Sequence, residues 1–176
     1  NLTLESLLGI PWELIQNFTD DKLVEALMRG SNLDVDRAWL TARLFHLEGD
    51  LFLERENPKA QLSYQRGLLL YLEVVLSQGK KEYSRPVEEI ETVRKLVDRE
   101  NLSEEMLFSL FAYHEQVGQY ALADKVLDQM AELTGLAGEV QDIRTDFYRR
   151  LLDKTNDELS HEGLNRDEIQ SRLDRD

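Results

Sequence analysis

The sequence predicts an all-α fold of antiparallel helical hairpins, with about seven or eight helices. Apolar residues recur three and four positions apart from Asp34 to the neighbourhood of Lys154, the repeat of helices with one buried face. Residues that start and stop helices punctuate those runs. Asp34, Asn57-Pro58, Pro86 and Ser103 stand where helices open, and Gly30, Gly79, Gly118 and Gly135 where they end. At 176 residues the chain suits one domain. It reads as an N-terminal helical lid (1–33), a first hairpin (34–79), an extra helix (86–100), a second hairpin (103–135) and a capping helix with tail (139–176).

The chain opens at Asn1 rather than at a Met. The run Leu2, Leu4, Leu7 and Leu8 before Gly9 is expected to be the end of a helix whose beginning lies upstream. Pro11 opens a short turn through Trp12, Leu14 and Ile15, and Trp12 is expected in the core rather than as a ligand platform. Thr19 or Asp20 then caps a helix over 21–29 that presents Leu23, Ala26 and Leu27 and stops at Gly30.

In the first helix of the first hairpin, Ala38, Leu40, Leu44, Leu47, Leu51 and Phe52 are expected to form the buried stripe. Asn57 caps the return helix and Pro58 occupies its first position, where a missing N–H does no harm. Ala60, Tyr64, Gly67, Leu68 and Tyr71 make the return face, and its two small residues let the partner helix approach closely. After a polar loop at 80–85, the extra helix carries Val87, Ile90, Val93, Leu96 and Val97. Ser103, with Glu104 and Glu105 in the first turn, begins the next helix, which ends at Gly118. Its partner turns Ala123, Val126, Leu127, Met130 and Leu133 inward before Gly135. A further helix from Glu139 carries Val140, Ile143, Phe147, Leu151 and Leu152. The capping-box spacing of Asn165 and Glu168 predicts a last helix with only Ile169 and Leu173 apolar, either a mobile tail or a docking helix.

The order Phe45, Gly49 and Phe52, followed by Ala60, Tyr64 and Gly67, resembles the tetratricopeptide repeat. That family sets an aromatic, a small residue and an aromatic on one helix against Ala and an aromatic on the next. Leu107, Leu110, Gly118, Tyr120, Ala123 and Leu127 form a second such set, and 117–121 is similar to the family's inter-helix turn followed by its Ala. The departures are Glu48 where the family has Leu, a first turn one residue short, Phe111 in place of a small residue, and no terminal Pro. Ala60 and Ala123 lie 63 positions apart, whereas an unbroken array places equivalents about 34 apart. The extra helix accounts for the gap, so the expected architecture is an irregular tetratricopeptide-like α-solenoid. The resemblance implies a concave groove lined by the first helix of each unit: Arg43, His46 and Asp50, then Phe108, Ala112 and Glu115. In that groove Phe108 would anchor an apolar side chain, with Arg43 and Glu115 setting its orientation. The set lacks the Lys and Asn that carboxylate-binding members of the family use.

The 35 acidic and 21 basic residues leave a formal charge of −14, which repels phosphate backbones and anionic lipid headgroups, so neither nucleic acid nor membrane is expected as a partner. There is no cysteine, hence no disulfide and no thiolate metal site. No run of 18 apolar residues suggests a membrane span. His46 with Asp50, and Glu158 with His161, are the best metal-like pairs, and each is expected to be a surface pair rather than a ligand set. Phosphate-cradle and nucleophile-elbow motifs are absent, and Glu88-Glu89 and Glu104-Glu105 are expected as exposed helix starts. No catalytic, cofactor-binding or metal residue is therefore assigned. The function expected is a non-enzymatic interaction scaffold, cytoplasmic and bacterial, for a protein or peptide partner. The alternative is a homodimer joined through a seam of Val140, Ile143, Phe147 and Leu151, and a minor one is a carboxylate/histidine metal-binding bundle.

Overall fold

The computed structural model describes residues 8–78, 85–98, 102–133 and 137–174. Ten helices and one two-residue ladder make up the described elements, so the fold is all-α. The expected Gly79 and Gly135 stops, the 80–84 loop and the leucines before Leu8 lie outside the described residues. The chain resolves into two compact units, Asn1–Leu102 and Ser103–Asp176, where the sequence reading drew a single domain.

The first unit begins with α1 (Trp12–Ile15) and α2 (Asp20–Ala26). α2 is shorter than expected. The backbone instead pairs Met28 with Leu33 and Arg29 with Asn32, as strands β1 (Met28–Arg29) and β2 (Asn32–Leu33). Gly30, at φ +67°, takes the first central position of the two-residue turn, a place that type II′ reserves for glycine.

Two long helices follow, α3 (Val35–Glu54) and α4 (Lys59–Gln78). The Asp34 carboxylate accepts the Arg37 amide at the start of α3, and Asn57 Oδ1 accepts the Lys59 amide at 3.0 Å at the start of α4, both as their sequence positions predict. α3 ends in a six-residue closure in which the Asn57 amide donates to the Phe52 carbonyl at 2.8 Å, with Glu56 at φ +53°. α4 is the centre of the unit. Leu68 to Leu72, Val74 and Val75 are all buried, so this helix is covered on nearly every side. α5 (Arg85–Leu96) packs along α4, burying Ile90, Val93 and Val97. Gln61 of α4 clasps its far end, donating to the Leu96 carbonyl at 3.0 Å and accepting the Asp98 amide at 2.9 Å.

The face that α3 buries differs from the one expected. Ala38, Thr41, Ala42, Phe45 and Gly49 turn inward, while Leu47 and Leu51 are 53% and 52% exposed. The cause is close packing. A methyl group on Gly67 of α4 would stand 3.2 Å from the Ala42 carbonyl oxygen, and one on Gly49 would stand 2.5 Å from the Tyr64 ring. Only the small-residue face of α3 lets the two backbones come that near, and the larger leucine face is displaced outward.

The second unit holds α6 (Glu104–Val117), α7 (Tyr120–Leu133), α8 (Ala137–Leu152), α9 (Asn156–His161) and α10 (Arg166–Leu173). Ser103 caps α6 through the Met106 amide, and Gly118 closes it at φ +85°, as predicted. α6 packs on α7, α7 on α8, and α8 on α10. The capping box falls at Thr155 and Glu158, not at Asn165 and Glu168. Asn165 caps α10 through the Asp167 amide, while the Glu168 carboxylate turns to Arg172 at 2.8 Å. α10 is a docked helix, with Ile169 fully buried.

Candidate functional site

Three charged side chains of α3 and α4 hold the N-terminal segment onto the hairpin. Glu48 accepts from Trp12 Nε1 at 3.3 Å, from Ser63 Oγ at 2.7 Å and from the Gln16 amide group. Arg66 donates to the carbonyls of Gln16 and Phe18, each at 2.6 Å, and lies over the Phe45 ring. Arg37 donates to the Leu8 carbonyl. Trp12 packs against Phe45 at 4.8 Å between centroids with its indole N–H satisfied by Glu48, but it is half-buried at the edge of the core rather than inside it. The departure of Glu48 from the repeat pattern thus has a structural purpose: the carboxylate supplies acceptors that a leucine lacks.

The groove residues of α3 are engaged within their own unit. The His46 ring lies 3.7 Å from the Glu89 carboxylate of α5 and edge-on to Tyr64. Asp50 accepts the Tyr64 hydroxyl at 2.9 Å. Burial first, then this hydrogen bond and the Asp50 charge, push the Tyr64 phenol up to about 12. Burial raises the Tyr71 phenol too, and the Glu89 charge adds to it against the opposing effect of Arg43. Glu73 on the same helix is raised by burial. Arg43 stacks on the Trp39 ring at 5.1 Å and is otherwise exposed. His46 and Asp50 each have a separate side-chain partner, and no group of three or more ligating side chains occurs among the described residues.

In the second unit Phe108 and Ala112 are half-buried, and Glu115 takes Arg150 of α8 in a two-pronged pair at 2.6 and 2.9 Å. That hydrogen bond raises the Arg150 guanidinium further. The expected self-association seam is corrected here. Val140, Phe147 and Leu151 are buried within the unit, with Phe147 edge-on to Phe111 at 5.4 Å, and Ile143 is half-buried. The stripe that was read as a surface seam is the inner face of α8. His114 is buried and its Nδ1 meets Gln119 Oε1 at 2.7 Å. His161 is 89% exposed, and Glu158 is consumed by its capping box.

What faces outward instead is α3. Leu40, Leu44, Leu47 and Leu51 follow a four-three-four spacing along one line of the helix, opposite the face that packs on α4. Leu40 and Leu44 are half-buried, and Leu47 and Leu51 are half-exposed. Leu53, Leu62 and Leu14 are also exposed large apolar residues of this unit. The signal was present in the sequence as a heptad-like stripe, but periodicity alone does not say which of two stripes on one helix turns inward.

No helix among the described residues is long and apolar enough to cross a membrane. No curated protein and no solved structure matches the chain. A family model matches residues 36–175, from the first turn of α3 through α10, so the chain belongs to the family of unknown function DUF6483.

Proposed function

We propose that this chain is a non-enzymatic helical interaction module, tetratricopeptide-like in its α3–α4 hairpin, whose working surface is the outer face of α3. The leucine line from Leu40 to Leu51 carries this reading. Contiguous apolar positions on a surface helix invite a partner, because covering each half-exposed leucine removes apolar area from water. The line is flanked by Arg43 and Asp50 on one side and by Glu48 and Arg55 on the other, an apolar strip with a charged rim. The Gly49–Tyr64 and Gly67–Ala42 approaches support the repeat-like reading of the hairpin. A net charge of −14 disfavours nucleic acid and anionic membranes as the partner and suits a protein in the cytoplasm.

Site-specific photo-cross-linking tests the proposal. A photoreactive residue in place of Leu47 should yield covalent adducts to protein in the native host. The same residue in place of exposed Glu25 on α2 should not. Absence of adducts at position 47 overturns the reading.

A further inference from the structure

We infer that the occupant of the α3 outer face is a second copy of this chain, packed antiparallel across a two-fold axis between Leu44 and Leu47. The inference rests on the interaction reading above and names its partner.

The leucine spacing is palindromic. With the axis between positions 44 and 47, Leu44 meets Leu47 of the other copy and Leu40 meets Leu51, so all four leucines of each helix find a counterpart. The charges follow the same symmetry. Arg43 and Asp50 are one heptad apart on the same edge of the stripe, and in the antiparallel arrangement each faces the other across the axis, giving two opposite-charge pairs per dimer. Both are available for it. Arg43 is exposed and makes no ion pair among the described residues, and Asp50 spends only Oδ1 on Tyr64.

A parallel arrangement fits less well. It would pair Asp50 with Arg55 and Arg43 with Glu48 of the other copy, but Glu48 is already occupied by Trp12, Gln16 and Ser63, so half of its opposite-charge pairs are lost. The four leucines span about three helical turns, a contact smaller than the roughly 800 Å² per partner of a standard stable interface. The pair is therefore a concentration-dependent one.

Sedimentation velocity from micromolar to near-millimolar protein tests this on the full chain. Wild type should pass from monomer to dimer, and Leu47→Glu should stay monomeric with an unchanged far-ultraviolet spectrum and melting curve. Arg43→Asp and Asp50→Arg should each weaken the dimer roughly tenfold, since each places like charges opposite twice. The double variant Arg43→Asp/Asp50→Arg should restore it. A parallel dimer would be weakened further by that double exchange, which separates the two arrangements. A monomer at every concentration, or a dimer indifferent to Leu47→Glu and to the charge exchange, overturns the inference. If cross-links at position 47 then join the chain to a different protein, the interaction reading stands and only the second copy is lost. If no cross-links form, both fall.

Discussion

The Tyr64 ring lies against the bare Cα of Gly49: a Cβ built there would sit 2.5 Å from two ring carbons, well inside contact distance. The ring cannot simply swing away, because its hydroxyl is held by Asp50 and the side chain is fully buried. Alanine at position 49 gains about 1 kcal/mol of helix propensity but must displace the ring or part the helices, which costs about 1–3 kcal/mol. Gly49→Ala should thus lower stability in urea unfolding. Tyr64→Leu in the same chain should recover part of that loss, a non-additivity expected only of residues in contact.

Glu56 offers the opposite change. It sits at φ +53° where α3 closes, while the equivalent closures of α6 and α9 hold glycines, Gly118 at +85° and Gly163 at +70°. The left-handed conformation costs an L-residue about 1–2 kcal/mol. Glu56 is exposed and makes no described side-chain hydrogen bond to lose. Glu56→Gly should therefore raise the unfolding free energy by about 1 kcal/mol, visible as a higher urea midpoint at unchanged slope.

Those helix ends show what was legible in the sequence. Asp34, Asn57, Ser103 and Gly118 do what their positions predict, because a cap depends on two or three neighbouring residues and little else. The helices and the all-α class follow from the same local information. Most of the inward face of α3 does not: Ala38 is interior as its place in the stripe predicts, but Ala42 and Gly49 become interior only once Gly67 and Tyr64 are brought against them from the other helix. Val140, Phe147 and Leu151 failed for the matching reason: an apolar stripe looks the same whether it meets its own unit or another molecule. The β1–β2 turn was hidden because Gly30 serves equally as a helix stop and as a turn residue, and the spacing of Leu23, Ala26 and Leu27 favours the helix stop.

Glu48 joins the lid to the hairpin, so removing its carboxylate should loosen the lid before it unfolds the unit. Glu48→Leu restores the residue usual in the repeat pattern but strips the acceptor from Trp12, Gln16 and Ser63. Each buried donor left without a partner costs about 1–3 kcal/mol. Arg66 still holds the Gln16 and Phe18 carbonyls, so the single variant should show faster amide exchange confined to residues 12–18. Adding Arg66→Met should extend the loss to the whole segment from Leu8 and expose it to proteolysis, with α4 and α5 still protected.

In the second unit a buried acid ties α10 to α7 and α8. Asp124 accepts the Tyr148 hydroxyl at 2.7 Å and pairs with Arg172 of α10, which also reaches Tyr148 at 3.1 Å. Burial first, then the bond to Asp124, push the Tyr148 phenol up to about 12, partly offset by Arg172. The folded protein thus keeps a proton that the unfolded chain releases near pH 10, about the ordinary value for tyrosine. The stability this group contributes is intact below about pH 10 and is lost as pH climbs toward 12, at up to about 1.4 kcal/mol per pH unit for each such tyrosine. Tyr64 adds the same dependence in the first unit. Tyr148→Phe should cost about 1 kcal/mol at neutral pH through the lost hydrogen bond, yet make the alkaline fall in stability shallower. Chemical denaturation followed from pH 9 to 12 reads both. A variant as steep as wild type above pH 10 would mean that Tyr148 ionises there without penalty, and that Asp124 holds α10 through Arg172 alone.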